Sequence, residues 1–364
     1  MPSERRRLLG ALSMCAILMT SRSGAGDLHA SFTPVLPGVA LQFPRDYGSH
    51  PDFGVEWWYL TGWLNTDQAK PLGFQITFFR SRVGEASDNP SAFTARQLLI
   101  AHCAISDPAR GHLWQDQRIR RAGMELADAS VGDTRVWIDD WRLERSGDQY
   151  RAAIVADEFA LQLTLTITQP DLLNGANGFS QKGPAPLSAS YYYSQPQLRV
   201  NGQVVRAGRG TQVSGIAWLD HEWSSQYLDA QASGWDWMGL NMSDGGAVMA
   251  FRIRDHQGNT LWASATLRDA MGHTQTLNAD QIGFVPRRTW RSPRTGVTYP
   301  VSWQVRVGSH SYELAPLMVD QENDTRMSTG AIYWEGAVLV TEGGQQNGRG
   351  YLELTGYDKP MTLR

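Results

Sequence analysis

The sequence predicts an all-β protein built as two tandem antiparallel barrels, and three observations carry that reading. From Val55 onward, short runs of alternating apolar and polar residues are separated by Gly, Asn, Asp and Pro, and sustained helical periodicity is almost absent. The alternation is cleanest where Leu161, Leu163, Leu165 and Ile167 share one face and Gln162, Thr164, Thr166 and Thr168 the other, as in a sheet with one dry and one wet side. An internal repeat is the third. Glu56–Asp67 with Gly73–Arg82, and again Gly234–Arg254, each give an acidic-aromatic strand, a polar turn and a strand ending in F-R-x-R. Two barrels of about 150 residues suit ordinary domain sizes, and the inward side chains of such barrels can enclose an apolar ligand.

Residues 1–30 read as an export signal. Arg5, Arg6 and Arg7 form a basic start, Leu8 to Met19 is apolar but too short to span a bilayer, and Ser23-Gly24-Ala25 offers a small-residue cleavage site. Arg5-Arg6-Arg7-Leu8-Leu9 also resembles a twin-arginine signal, with Glu4 where Ser or Thr is usual, so the expected destination is the periplasm or the medium. Met14 is too large for a lipoprotein box before Cys15. Ser31–Pro51 is Pro-rich and aperiodic, an extended lead-in.

A first set of strands is expected at Val55–Leu64, Leu72–Arg82, Arg96–Ser106, Thr134–Leu143, Tyr150–Ala156, Phe159–Thr168 and Tyr191–Val200. Pro170–Ser188 reads as a long polar loop. Asn201-Gly202 is a type I′ hairpin signal, and the division is placed beside it, giving barrels over 31–205 and 206–364. The second set is Gly215–Trp223, Trp235–Met242, Ala247–Arg254, Thr260–Leu267, Val301–Val307, Gly330–Val340 and Tyr351–Tyr357.

Formal charge is −3, from 33 Lys+Arg and 36 Asp+Glu, which gives no reason to expect nucleic acid or an anionic membrane as partner. No feature calls for an obligate protein partner. Fourteen tryptophans are an excess whose default use is core filling and whose sharper use is a wide apolar pocket. Without the signal Cys103 is the sole cysteine, which excludes an intrachain disulfide. The histidines show neither H-E-x-x-H nor H-x-H spacing, and phosphate-loop and dinucleotide fingerprints are absent, so no metal or cofactor is expected. There is no G-x-S-x-G elbow, and Ser224-Ser225 stand too close in sequence to His221 to form a triad alone.

Gly215–Trp237 is the stretch densest in chemistry. Read with period two, Ala217, Leu219, His221 and Trp223 share one face and Ile216, Trp218, Asp220 and Glu222 the other. A carboxyl buried beside indoles resists ionisation and can serve as a proton donor near neutral pH; the plainer reading is a surface strand with salt-bridged acids. Glu56-Trp57-Trp58-Tyr59 reads first as structural. Arg80, Arg82, Arg252 and Arg254 read as exposed strand ends by default, and as a clamp for an anionic head group in the sharper reading.

Tyr191–Gly202, Gly215–Gln226, Gly234–Trp237 and the early H-P-D-F-G-V-E-W-W-Y-L-T-G over His50–Gly62 together resemble the AttH-type, carotenoid 1,2-hydratase-like proteins, across essentially the whole mature chain. The resemblance implies two lipocalin-like barrels and a hydrophobic small molecule, isoprenoid or lipid, held near the junction of the halves. It further implies a hydro-lyase that adds water to an isolated C=C of an acyclic isoprenoid without a cofactor, with His221 and Trp223 at the positions proposed as catalytic. Tyr227 and Asp236 are the candidates for a downstream Tyr and Asp.

In the expected mechanism a protonated Asp220 or Asp236 donates to the alkene. Trp223, with Trp235 or Trp237, faces the resulting cation, and His221 handles the water. Because His221 and Trp223 share a face, an acid on another strand, Asp236, is favoured there. Trp57, Trp58, Tyr59 and Tyr192 complete the expected ligand contacts. A non-catalytic periplasmic lipid carrier is the alternative, and a secreted hydrolase a third reading.

Overall fold

The computed structural model describes residues 32–67, 70–83 and 94–361, so the expected export signal lies outside the described residues. Strands are the main regular structure of the described chain, with two 3₁₀ turns at Arg45–Tyr47 and Ala279–Gln281. A 13-stranded sheet A runs in spatial order β4 (Trp114–Arg121), β3 (Gln97–Ser106), β2 (Pro71–Arg82), β1 (Val55–Thr66), β13 (Arg209–Gln226), β12 (Ala189–Arg206), β9 (Phe159–Thr166), β8 (Gln149–Val155), β7 (Trp141–Ser146), β6 (Arg135–Ile138) and β5 (Ala127–Ala129). The short β10 (Leu172–Leu173) and β11 (Phe179–Gln181) pair with β12. The 10-stranded sheet B runs β17 (Thr274–Asn278), β16 (Thr260–Arg268), β15 (Ala247–Asp255), β14 (Ala232–Met242), β23 (Gln345–Leu354), β22 (Ala331–Glu342), β20 (His310–Pro316), β19 (Thr298–Val307) and β18 (Ile282–Arg291), with β21 (Glu322–Thr325) on β22.

In each sheet the two edge strands follow one another in sequence, which draws the sheet toward a closed barrel. In sheet A, Gly123 N–H donates to Ala127 O at 2.8 Å between β4 and β5, and Arg118 Nη2 reaches Val155 O at 2.8 Å. In sheet B the turn Ala279–Gln281 joins β17 to β18. Period two decides what fills the interiors. Barrel A is packed by Leu60, Phe74, Ile76, Trp141, Leu161 and Leu165, all fully buried, and barrel B by residues such as Trp334, Tyr299 and Leu352. Each barrel interior thus holds its own hydrophobic core.

The opposite face of β1, β2 and β13 packs on sheet B. Tyr59, Trp63 and Trp218 meet Trp237, Ala337 and Tyr351, and Trp63 Nε1 donates to Gly350 O at 2.9 Å. Close approach requires small residues: a Cβ on Gly73 would come within 2.6 Å of the Ala337 Cβ and 2.7 Å of the Tyr351 hydroxyl.

The repeat is structural. β1 and β14 occupy equivalent places, each paired with the following strand of its hairpin, and Glu56 sits opposite Arg80 as Asp236 sits opposite Arg252. Both pairs are ion-paired, at 2.7 and 2.6 Å, and Arg254 also reaches Asp236 at 3.3 Å. These arginines are partners of buried acids, not exposed strand ends or a clamp for anions.

Several boundaries differ from expectation. Asn201-Gly202 lies inside the continuous strand β12, where Gly202 is required by the closely approaching Gln162 carbonyl, and the tight turn falls at Ala207-Gly208, both at positive φ. A division at 205/206 would cut the β12–β13 hairpin; the chain crosses from sheet A to sheet B at residues 227–231. Thr134–Leu143 is two strands, β6 and β7, folded back at Asp139, whose φ is 55°. The lead-in packs as well as extends: Val35 and Tyr47 are buried against Tyr193 and Trp223.

Candidate functional site

Opposite faces of β1 and β13 build two different sites. Toward sheet B lies a cavity of about 550 Å³, walled by Trp57 and Tyr59 of β1, Asp220 and Glu222 of β13, Trp235 and Trp237 of β14, Tyr333 and Glu335 of β22 and Glu353 of β23. Strand alternation puts these residues there, since their neighbours Trp58, Leu219, Met238, Trp334 and Leu352 point into the barrel cores.

The carboxyls dominate the chemistry of this cavity. Asp220 Oδ1 accepts from Trp218 Nε1 at 2.7 Å and from Ser194 Oγ, and its Oδ2 accepts from Tyr192 Oη at 2.7 Å. Tyr192 Oη in turn accepts from Trp237 Nε1 at 3.0 Å. Burial pushes Asp220 up to about 7 against the pull of those three donors. Glu353 Oε2 accepts from Trp235 Nε1 at 2.9 Å, and burial, helped by the charges of Asp220 and Glu222, pushes it up to about 7 as well.

Glu335 is the cross-strand partner of Glu353 and is fully enclosed. Neither of its oxygens has a hydrogen bond of good geometry, although Tyr59, Asn323 and Tyr333 lie near. Burial first, and the facing Glu353 second, hold it well above the usual carboxyl range. Glu222 pairs with the buried Lys182 ammonium at 2.6 Å and accepts from Ser190. Burial pushes the Glu222 carboxyl up and the Lys182 ammonium down, each opposed by the other. His102 is held neutral by burial, lowered to about 3, with its ring nitrogens on Tyr333 Oη and Ser328 Oγ, each at 2.9 Å.

The second site lies on the barrel A side of the same strands. Glu56 Oε1 meets His50 Nδ1 at 2.7 Å and His221 Nε2 at 2.9 Å, while Oε2 accepts from Arg80 Nε at 2.7 Å and Ser49 Oγ at 3.1 Å. His221 Nδ1 faces Tyr193 Oη at 3.0 Å, its ring stacks on Trp58, and His50 stacks on Trp223 at 3.7 Å between centroids. Burial would raise Glu56, but Arg80 and His50 hold it well below the ordinary range. Burial would lower His50, yet Glu56 and Asp46 raise it, whereas for His221 burial prevails and lowers it. His50, Glu56 and His221 present ligand atoms within 4.8 Å of one another, a set able to hold a metal ion. The Arg80 guanidinium already supplies positive charge to that carboxylate.

The predicted site residues therefore divide. Asp220, Trp57, Tyr59, Trp235 and Trp237 line the cavity. His221 and Trp223 do share a face as expected, but it is the barrel A face, away from the cavity. Asp236 is turned into barrel B and neutralised by Arg252 and Arg254, with Tyr357 Oη donating at 2.8 Å, so it does not join His221. Trp58 stacks on His221, and Tyr192 reaches the cavity only through Asp220 and Trp237. Tyr227 lines the cavity. Ser224 and Ser225 donate to the carbonyls of Ala189 and Thr33, each at 2.6 Å, rather than to an imidazole.

Sequence reasoning missed Glu335, Glu353, Lys182 and the partnership of His50 with Glu56. The E-x-x-x…F-R-x-R repeat carried the signal for Glu56 and Arg80. Glu353 reads in Y-L-E-L as a solvent-facing alternate, because only the second sheet makes that face an interior one.

Comparison with known proteins accords with this architecture. A crystal structure of an AttH chain from Nitrosomonas europaea is 54% identical, with a TM-score of 0.85, over 90% of this chain and all of that one. Kievitone hydratase from Nectria haematococca shares the fold at 17% identity and a TM-score of 0.67, covering 91% of this chain and 97% of its own. CghA does so at 13% and 0.54, covering 92% and 98%. No curated protein sequence matches. The AttH-like family pattern matches residues 34–357, and the chain belongs to the AttH-like family.

Proposed function

We propose that the protein binds an apolar, isoprenoid-like or lipid molecule in the inter-sheet cavity and adds water across an isolated C=C by acid–base catalysis. One observation carries this reading: a carboxyl from each sheet, Asp220 and Glu353, stands in a cavity walled by indoles, where burial pushes each up to about 7. Glu353, with a single hydrogen bond, is the better proton donor. Asp220, with three donors that favour its charged form, is the better acceptor.

The Glu353 proton goes to one alkene carbon, leaving a cation that Trp57, Trp235 and Trp237 face. Water attacks the other carbon and yields its extra proton to Asp220, so that H and OH are added in total. Kievitone hydratase, a hydratase by name, shares the fold and supports the reaction class. Here His221 positions Glu56 and the β1–β13 pair rather than touching substrate. The proposal includes export, with residues 1–30 removed and the mature chain recovered from the periplasm.

The test is incubation of purified protein with acyclic isoprenoid alkenes in heavy-oxygen water. Label should enter the product with the wild type and be lost with Glu353→Gln. Tight binding without incorporation would leave a carrier instead.

A further inference from the structure

The charge balance of the cavity points to a particular class of ligand. Five carboxyls border it, and two are neutralised: Glu56, whose side chain belongs to the barrel A side, by Arg80 at 2.7 Å, and Glu222 by Lys182 at 2.6 Å. Asp220, Glu335 and Glu353 have no ion-pair partner among the described residues, and Glu335, 2% exposed, lines the cavity with both oxygens lacking a hydrogen bond of good geometry. Apart from Arg80, the remaining lining cation is Lys359, which is solvent-exposed. An anionic ligand meets carboxyls that lack a counter-charge here, and a neutral ligand without a donor leaves the enclosed Glu335 oxygens unanswered.

The aromatic walls add to this field. The ring of Trp57 stands at 79° to Tyr227 with centroids 4.9 Å apart, and Tyr227 at 77° to Trp235 at 5.9 Å, so three lining aromatics form one edge-to-face cluster in the cavity wall. The same wall already holds an ammonium: Lys182 Nζ lies over the rings of Phe251 at 4.1 Å, Tyr192 at 4.7 Å and Tyr227 at 5.2 Å while it pairs with Glu222. One layer behind the cavity, the molecule thus binds a buried ammonium with aromatic faces and a carboxylate.

We infer that the inter-sheet cavity takes an organic cation, an apolar molecule bearing a protonated amine or quaternary ammonium, which Asp220, Glu335 and Glu353 pair with and Trp57, Tyr227 and Trp235 enclose. This rests on the reading of the cavity as the ligand site and names the class of molecule that enters it; fatty acids and isoprenoid phosphates are excluded. The field that holds a fixed ammonium also favours a cation formed by protonating an alkene, so ligand selection and the proposed chemistry use the same walls.

A matched series tests it on the wild-type protein: geranylamine, geranyl trimethylammonium, geraniol and geranic acid, titrated at about pH 8 with tryptophan fluorescence and calorimetry as readouts. The amine and the ammonium should bind at least about tenfold more tightly than geraniol, and geranic acid more weakly still. Glu335→Gln and Glu353→Gln should each cut the amine's advantage over geraniol by about tenfold. Geraniol or geranic acid binding as tightly as the amine would overturn the inference and leave the cavity as a ligand site. Failure of all four to bind would overturn the cavity reading, and the inference with it.

Discussion

Replacing Asp220 by asparagine should stabilise the protein at alkaline pH, and the size of the effect follows from the burial of the carboxyl. An ordinary aspartate titrates near 3.8, and Asp220 titrates near 7. That thousandfold difference in proton affinity corresponds to about 4 kcal/mol. Because the folded pKa lies above the unfolded one, the folded state holds the proton more tightly. Stability therefore falls as pH rises past 3.8 and levels off beyond 7. About 2 kcal/mol of that loss falls between roughly pH 5.5 and 8.5.

Asparagine keeps an acceptor for Trp218 and Ser194 but turns an amide toward Tyr192 Oη, which already accepts from Trp237, a loss of about 1 kcal/mol. Asp220→Asn should then be more stable than wild type by about 3 kcal/mol near pH 8.5 and by about 1 kcal/mol near pH 5.5. Urea denaturation followed by tryptophan fluorescence at the two pH values measures both differences. Identical pH dependence in the two proteins would refute the claim that burial pushes Asp220 up to about 7.

Glu56→Gln should cost about 3–5 kcal/mol, because it leaves the buried Arg80 without its counter-charge. The signs are opposite for the two partners. Glu56, lowered in the fold, contributes above the ordinary carboxyl range and loses that contribution as pH falls through its folded pKa, whereas His50, raised in the fold, contributes below 6.5 and fades as pH rises through its own. Urea midpoints across pH should therefore show the penalty of Glu56→Gln greatest at intermediate pH. His221→Ala should lower stability by about 3 kcal/mol yet leave ligand affinity in the cavity unchanged, and a selective loss of affinity would place His221 in the binding wall instead. Gly73→Val drives a side chain into Ala337 and Tyr351 and should cost about 1–3 kcal/mol, seen as a lowered thermal midpoint.

Much of the fold was legible because it depends on local pattern. Alternation at Leu161, Leu163 and Leu165 identified a strand with one dry face, and the repeated acidic-aromatic hairpins located β1–β2 and β14–β15. Strands such as β4, with Trp114 and Ile119 set among charged residues, carried no such pattern, since sheet neighbours and not their own alternation hold them in place. Pro170–Ser188 read as loop because its composition is polar. Its Lys182 and Asn174 are buried only because Glu222 and Ser194 wait for them on β13 and β12.

The sequence by itself determined that this is a two-barrel β protein of the AttH type, with His221 and Trp223 on one face of a strand and Asp220 and Glu222 on the other. That follows from a period of two, which is a property of the backbone. Which face meets the ligand was decided only by the tertiary structure. Side chains alternate without recording what lies beyond them, and here the second sheet docks on the Asp220 face while the lead-in and Tyr193 close over the His221 face. The same docking turns Glu335 into a buried acid and Glu353 into a half-buried one, because their enclosure is supplied by strands hundreds of residues away in the chain.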